Sequence, residues 1–235
     1  MPALAEKLKL TDTLTFDCYG TLIDWKAGLN ESLFELIGPK AERRASELYR
    51  FYVSEEARVE AEAYRPYREV LALAAVRAAR KFKVDLTMEK ASHLADMVAD
   101  WPPFPDTVEA LKRLKSRFRL GVLSNIDGDI FAGTARRLDV AFDFVVTAQD
   151  VSSYKPALGH FERMLRDHAR RESVVHVAQS VYHDGQPTAR LGLAFVWINR
   201  YNDTNLTGLE PLATLPDLRS LAAIADGTVG TSSHG

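Results

Sequence analysis

The chain has 235 residues, 46% hydrophobic and 26% charged, with a formal net charge of −2 and one cysteine. This is the balance of a soluble globular protein, long enough for one sizeable core or for a core that carries a smaller insertion. It excludes an internal disulfide and offers no charge excess to attract nucleic acid or an anionic membrane.

Residues 1–9 contain no long apolar run, so no signal peptide or membrane anchor is expected, and a reducing cytoplasm is the expected setting. Leu14 and Phe16 then lead into Asp17, followed by Gly20 and Thr21. That pattern predicts a strand whose C-terminal end delivers a carboxylate into a cleft. Taken alone, it equally describes a buried strand ending in a turn aspartate.

From Trp25 to Asp100 apolar residues recur at helical spacing: Leu29, Leu33 and Leu36-Ile37, then Leu48, Phe51-Tyr52 and Glu55, then Val70, Leu73, Ala74 and Arg77, then Leu94, Met97 and Val98. The spacing predicts four or so amphipathic helices. Trp101-Pro102-Pro103-Phe104-Pro105 closes this run, because three prolines in four residues forbid a continuing helix. Asp106 is expected to cap the next helix, with Glu109 as its capping-box partner. Strands are expected at Leu120–Leu123, Phe144–Val146, Val174–Ala178 and Ala194–Ile198, separated by helices over 129–138 and 157–168. Alternating helices and near-continuous apolar strands predict an α/β fold, a mostly parallel sheet covered on both faces. The expected division is 1–24 and 101–226 for this core, 25–100 for an inserted helical segment and 227–235 for a frayed tail.

In an open parallel sheet, functional groups collect at the C-terminal strand ends. That rule gathers Asp17, Ser124 with Asn125, and Ser180 to Asp184 at one edge, and Lys155, just before a helix, can reach back to it. The set has a chemical logic. Asp17 can act as a carboxylate nucleophile. Lys155 can hold it ionised and attract an anion. Thr21, Ser124 and Asn125 can donate hydrogen bonds to substrate oxygens, and Asp184 can anchor Lys155 or position a water. Each member has a plainer reading as a turn or cap residue; their joint placement favours a site. His93, His160, His168 and His176 show no metal-ligand spacing and read as structural, as does Cys18.

With these motifs in order, the chain resembles the haloacid dehalogenase superfamily, whose nucleophile is the first Asp of D-x-x-G-T. The resemblance runs through Ser124, Lys155-Pro156 and the Ser180 to Asp184 loop, and so covers essentially the whole chain. Phosphatases of that family carry a second aspartate two residues after the nucleophile and an acidic pair that holds Mg²⁺. Here those places are Tyr19 and the pair Ser180 and Asp184. The string F-D-C-Y-G-T-L-I-D-W is similar to the 2-haloacid dehalogenase branch, as is the Trp197-Ile198-Asn199-Arg200 strand end.

That resemblance implies a Rossmann-like parallel-sheet core with an inserted all-helical cap over 25–100, and a hydrolase without metal or cofactor. Asp17 displaces halide from a short 2-haloalkanoic acid, and water cleaves the resulting aspartyl ester. Lys155, Asp184, Thr21 and Ser180 are the implied catalytic residues. Tyr19, Ser124, Asn125 and His183 are the implied substrate contacts. It further implies halide as product and a homodimer, with neither nucleic acid nor membrane as partner. The branch's halide-side arginine has candidates in Arg43, Arg44, Arg58, Arg65 and Arg68. Other branch positions differ: Phe161 stands for a tyrosine, Val181 for an asparagine, His183 for a tryptophan and Gln179 for a serine. A Mg²⁺-dependent phosphatase and a carboxylate-binding protein without turnover remain the competing readings.

Overall fold

The near-continuous apolar runs form one six-stranded sheet in the computed structural model, which describes residues 2–38 and 44–228. The strands are β1 (Thr13–Phe16), β2 (Arg119–Ser124), β3 (Phe144–Thr147), β4 (Val174–Ala178), β5 (Ala194–Ile198) and β6 (Ala213–Leu215). Their order is β3-β2-β1-β4-β5-β6, and every pairing is parallel. β1 is central: Leu14 pairs with Leu120 on one side and Val175 on the other. The strand order reverses between β1 and β4, and that is where a crevice opens beyond the strand ends of a doubly wound sheet. β6 was not anticipated; three residues carry too little periodicity to announce a strand.

Thr13 and Thr15 interrupt the apolar pattern of β1, yet both are fully buried. Their hydroxyls are satisfied: Thr13 donates to Asp12 Oδ1 at 2.6 Å, and Thr15 Oγ1 lies 2.9 Å from His176 Nδ1. Buried hydroxyls on a strand covered on both faces require such partners.

No described residue between 25 and 100 belongs to a strand. The longer helices here are α2 (Trp25–Ile37), α3 (Ala45–Glu60) and α4 (Tyr67–Lys81), after α1 (Pro2–Lys9). The expected fourth helix is broken into α5 (Met88–Ser92), α6 (Leu94–Met97) and a single 3₁₀ turn at Val98–Asp100. α2 starts at Asp24, whose side chain accepts from Ala27 N at 3.1 Å. Gly28 is required here, because a Cβ would lie 2.2 Å from Trp101 Cγ. Trp101 is fixed in turn by its indole N–H, which donates to Ser32 Oγ at 3.0 Å. The two chain crossings that bound this helical segment run side by side. Asp24 N donates to Pro102 O at 2.8 Å, and Phe104 N donates to Leu22 O at 3.1 Å.

The sheet is flanked by α7 (Thr107–Lys115), α8 (Gly128–Leu138), α9 (Ala148–Val151), α10 (Gly159–Asp167), α11 (Gln186–Arg190) and α12 (Leu218–Ala225). The capping box expected at Asp106 is not formed. Asp106 has helical backbone angles and makes no cap bond. Its carboxylate is drawn to Arg200 instead, at 2.8 and 3.2 Å, and accepts Leu218 N at 2.8 Å. A buried guanidinium outcompetes a local cap, because charge-assisted pairs are the stronger bonds. No described helix is long and apolar enough to cross a membrane. Residues 229–235 of the expected tail, and Arg43, lie outside the described residues.

Candidate active site

Asp17 follows β1 directly, and the chain turns back on itself beneath it. Cys18 O accepts from Thr21, Leu22 and Ile23, and Gly20 adopts φ +95°, a conformation that side chains other than glycine's rarely take. This turn points the Thr21 hydroxyl at Asp17 Oδ2, 2.8 Å away. The same oxygen of Thr21 accepts Gln179 N at 2.9 Å, joining the ends of β1 and β4. Thr21 therefore positions the carboxylate. The expectation that it donates to substrate is corrected: its hydroxyl is committed and the residue is fully buried.

Lys155 is 2% exposed, and its ammonium donates to Asp17 Oδ1 at 2.9 Å, Asp184 Oδ1 at 2.7 Å and Leu123 O at 2.8 Å. An ammonium has three hydrogens, so Lys155 has none left for an incoming anion. It holds the two carboxylates, and it can act on an incoming anion through its charge but not through a hydrogen bond. Burial alone would strip its charge, but Asp17 and Asp184 outweigh burial and hold it above the usual lysine range. Burial pushes Asp17 up, with Lys155 and Thr21 working against that push. Burial likewise opposes the charge of Asp184, but Lys155 and His176 overcome it and hold the carboxyl well below the usual range.

His176 Nε2 lies 3.0 Å from Asp184 Oδ1, so the chain of contacts runs Thr15, His176, Asp184, Lys155, Asp17, Thr21. A carboxylate oxygen can only accept, which places the histidine proton on Nε2 and makes Nδ1 the acceptor from Thr15. Asp184 Oδ2 is buried and has no partner. The sequence reading missed His176 and Thr15. The available signal was two polar residues at matching places on strands buried on both faces.

Ser124, at the end of β2, is 1% exposed with its hydroxyl unpartnered. Its carbonyl is fixed by His160, which burial pushes down to about 3, so a neutral imidazole donates from Nε2 at 3.1 Å. Asn125 is mostly engaged: Oδ1 accepts Lys155 N at 2.7 Å and Nδ2 donates to Lys155 O at 3.1 Å. It clamps the lysine backbone, a role the sequence reading did not foresee. Tyr19 walls the cavity, its hydroxyl tied to Thr134 Oγ1 at 2.7 Å and its ring edge-on to Trp101. Ser180 Oγ accepts His183 N at 3.0 Å and lies 3.1 Å from His183 Nδ1, so these two form a closed turn. Burial holds His183 below the usual histidine range. Cys18 is fully buried beside the site, and burial together with the Asp17 charge pushes its thiol up, which leaves it inert as a nucleophile.

Asp17, Tyr19, Ser124, Asn125, Lys155, Ser180, His183 and Asp184 all line one cavity of about 460 Å³. Its other wall comes from the helical segment, through Trp25, Tyr49, Glu56, Glu60 and Tyr67. No described arginine lines it. Arg44 pairs with Glu47, Arg58 with Glu55, Arg65 with Glu62, and Arg68 with Asp96 and Asp129. A hard divalent cation such as Mg²⁺ does not fit these donors. Asp184 Oδ1 already receives Lys155 and His176, so that only its Oδ2 is free, the neighbouring position offers the serine hydroxyl bonded to His183 in place of a second carboxylate, and no described cluster of three acidic, His or Cys ligands exists.

Comparison with known proteins shows the family and the fold. A family model described as haloacid dehalogenase-like hydrolase matches residues 11–184. The chain is 27% identical over 202 residues to haloacetate dehalogenase H-2 of Moraxella sp. (strain B), covering 83% of this chain and 88% of that protein. It is 27% identical over 126 residues to an (S)-2-haloacid dehalogenase of Pseudomonas putida, covering 50% and 54% respectively. Among solved structures, the L-2-haloacid dehalogenase from Xanthobacter autotrophicus is similar in fold, with a TM-score of 0.80 at 16% identity over 93% of this chain and 100% of that one.

Proposed function

Because the chain belongs to the haloacid dehalogenase-like hydrolases, we propose that it hydrolyses the carbon–halogen bond of a short 2-haloalkanoic acid through an ester on Asp17. The observation that carries this reading is the Asp17 carboxylate, held by Lys155 at 2.9 Å and Thr21 at 2.8 Å at the floor of a cavity, with no carboxyl two residues on at Tyr19. A halide leaving group needs no proton donor of the phosphatase kind, and a tyrosine there supplies an apolar wall.

In the first step a carboxylate oxygen of Asp17 attacks C2. The C2–halogen bond breaks, its electron pair leaves with the halide, and C2 inverts. The Ser124 hydroxyl, buried and free of protein partners, is a donor for the substrate carboxylate. In the second step water attacks the ester carbonyl of Asp17. Asp184 Oδ2 is a free acceptor for that water, while Lys155 steadies the charge that develops. The carbonyl–oxygen bond breaks, the product oxygen takes the water proton, and the carboxylate returns. One halide, one proton and one 2-hydroxy acid leave the site.

The test is halide release from L-2-chloropropionate, chloroacetate and fluoroacetate without added metal. Single turnover in ¹⁸O-water should place label in the peptide that contains Asp17, and Asp17→Asn should lose turnover. Folded protein that releases no halide from any of them, or unlabelled Asp17 after turnover, overturns the reading.

A further inference from the structure

Glu56 and Glu60 are four residues apart on α3, so they share one helix face, and both line the cavity above Asp17. Glu56 is 8% exposed, and its Oε1 accepts the Tyr67 hydroxyl at 2.7 Å, which leaves Oε2 uncommitted among the described residues. Neither carboxyl is paired with a described cation. The third acid of this helix stretch, Glu55, takes Arg58 and Arg77 on another face. The groups that bear on the pair are Tyr49 and Tyr52 from α3, Tyr67 from α4, and Tyr154 and Lys155 from the loop before α10. Lys155 has spent its hydrogens, and the Lys26 ammonium at the cavity rim lies over the Tyr49 and Tyr201 rings, 5.6 and 5.8 Å from their centroids. One buried hydroxyl without a partner lines this cavity and marks a place for a ligand: Ser124 Oγ in the floor.

Displacement at carbon needs the leaving group opposite the attacking oxygen. Asp17 attacks from the strand ends, so the leaving atom moves away from the sheet edge, toward the wall that α3 supplies. Resting on the reading above, we propose that Glu56, as a neutral carboxylic acid flanked by Glu60, donates a hydrogen bond to the departing halide. The site then favours substrates whose leaving atom is a strong hydrogen-bond acceptor, fluoride above bromide. The proton stays on Glu56 during displacement, and the electron pair of the broken bond leaves with the halide. Burial supports the neutral form: it pushes Glu56 up to about 7, and it also raises Glu60, helped by the neighbouring Glu56 charge and opposed by Lys155.

The sign of the pH dependence follows. Below about 7 Glu56 carries its proton and donates; above it, a carboxylate repels the halide. The test is kcat/KM for fluoroacetate and bromoacetate between pH 5.5 and 8.5, in the parent protein, Glu56→Gln, Glu60→Gln and Glu56→Ala, each checked for its fold by circular dichroism. The parent should lose fluoroacetate turnover by up to about tenfold per pH unit above 7, and bromoacetate turnover much less. Glu56→Gln keeps an N–H donor but cannot ionise, so its fluoride-to-bromide ratio should become independent of pH. Glu60→Gln should move the midpoint of the limb, and Glu56→Ala should lower the ratio at every pH. A limb that persists in Glu56→Gln, affects both substrates equally, or rises with pH overturns the proposal.

A second readout separates this inference from the dehalogenase reading. Sodium fluoride is titrated into the resting protein by calorimetry at pH 7 in two buffers of different ionisation heat. Proton uptake that disappears in Glu56→Gln supports the donor even if no substrate is turned over. Fluoride binding without proton uptake, or no binding at all, overturns it.

Discussion

His176 Nε2 lies 3.0 Å from Asp184 Oδ1, the same oxygen that receives the Lys155 ammonium at 2.7 Å. The imidazole shares this load with Thr15 behind it, and Phe161 meets its ring edge-on at 5.0 Å. Replacing His176 by Phe removes a donor to a buried carboxylate and leaves the Thr15 hydroxyl unpaired. Stability should fall by about 1.5–3 kcal/mol, the range for hydrogen bonds to charged groups, as measured by urea denaturation. Mass spectrometry should find the Asp17 ester accumulating, because the site of water attack is loosened while the nucleophile is not.

Lys155→Met should be worse. It leaves Asp17 and Asp184 as buried carboxylates without a cation, which costs about 3–5 kcal/mol. Adding Asp184→Asn should return part of the loss, since one of the two charges is then gone. Thermal melts of the single and double variants check this; equal stability of the two would contradict a charge-based account.

His160 sets a pH dependence of stability. Its pKa is held down to about 3 in the folded protein, by burial first and by the Lys155 charge second, against about 6.5 unfolded. The unfolded chain therefore binds the extra proton between these values. Stability from this residue is complete above about 6.5 and is lost as pH falls toward 3, at up to about 1.4 kcal/mol per pH unit. Urea midpoints at pH 7, 6, 5 and 4 should show this slope, and His160→Gln should flatten it. Asp184 runs in the same sense but at more acid pH: its depressed pKa stabilises above the usual carboxylate range and that contribution is lost only in strong acid.

Arg200 is a distant brace of the nucleophile turn. Its guanidinium pairs with Asp106, donates from Nε to Thr21 O at 2.9 Å, and stacks over Phe104 at 3.9 Å from the ring centroid. Arg200→Ala should destabilise by about 3–5 kcal/mol, since it strands a buried Asp106. Arg200→Lys should recover little, because one ammonium cannot reproduce the planar fork. Denaturation of both variants measures the difference.

Much of this was legible from the chain alone, for a physical reason. Strands buried on both faces have to be apolar, so β2, β3, β4 and β5 announce themselves, and the strand-end rule then assembles Asp17, Ser124, Lys155 and Asp184 at one edge. What stayed hidden depends on contacts between residues far apart in the chain. Asp106 has the sequence of a helix cap, but Arg200, 94 residues away, takes its carboxylate. Asn125 looks like a substrate ligand until Lys155 N is found 2.7 Å from its Oδ1. Glu56 and Glu60 sit among the other acids of a charged helix, and only the folded orientation of α3 turns them toward the cavity. Of the cap arginines expected at the pocket, Arg44, Arg58, Arg65 and Arg68 are drawn into ion pairs with nearby acids, and Arg43 lies outside the described residues.

The paired crossings at Asp24–Pro102 and Leu22–Phe104 have a consequence for modularity. The helical segment leaves and re-enters the sheet domain through one doorway whose two jambs are hydrogen-bonded to each other. The ends that an excision would have to rejoin are therefore already neighbours. The segment can be treated as an exchangeable cassette: a different set of helices spliced at this doorway would present a new ceiling to an unchanged nucleophile.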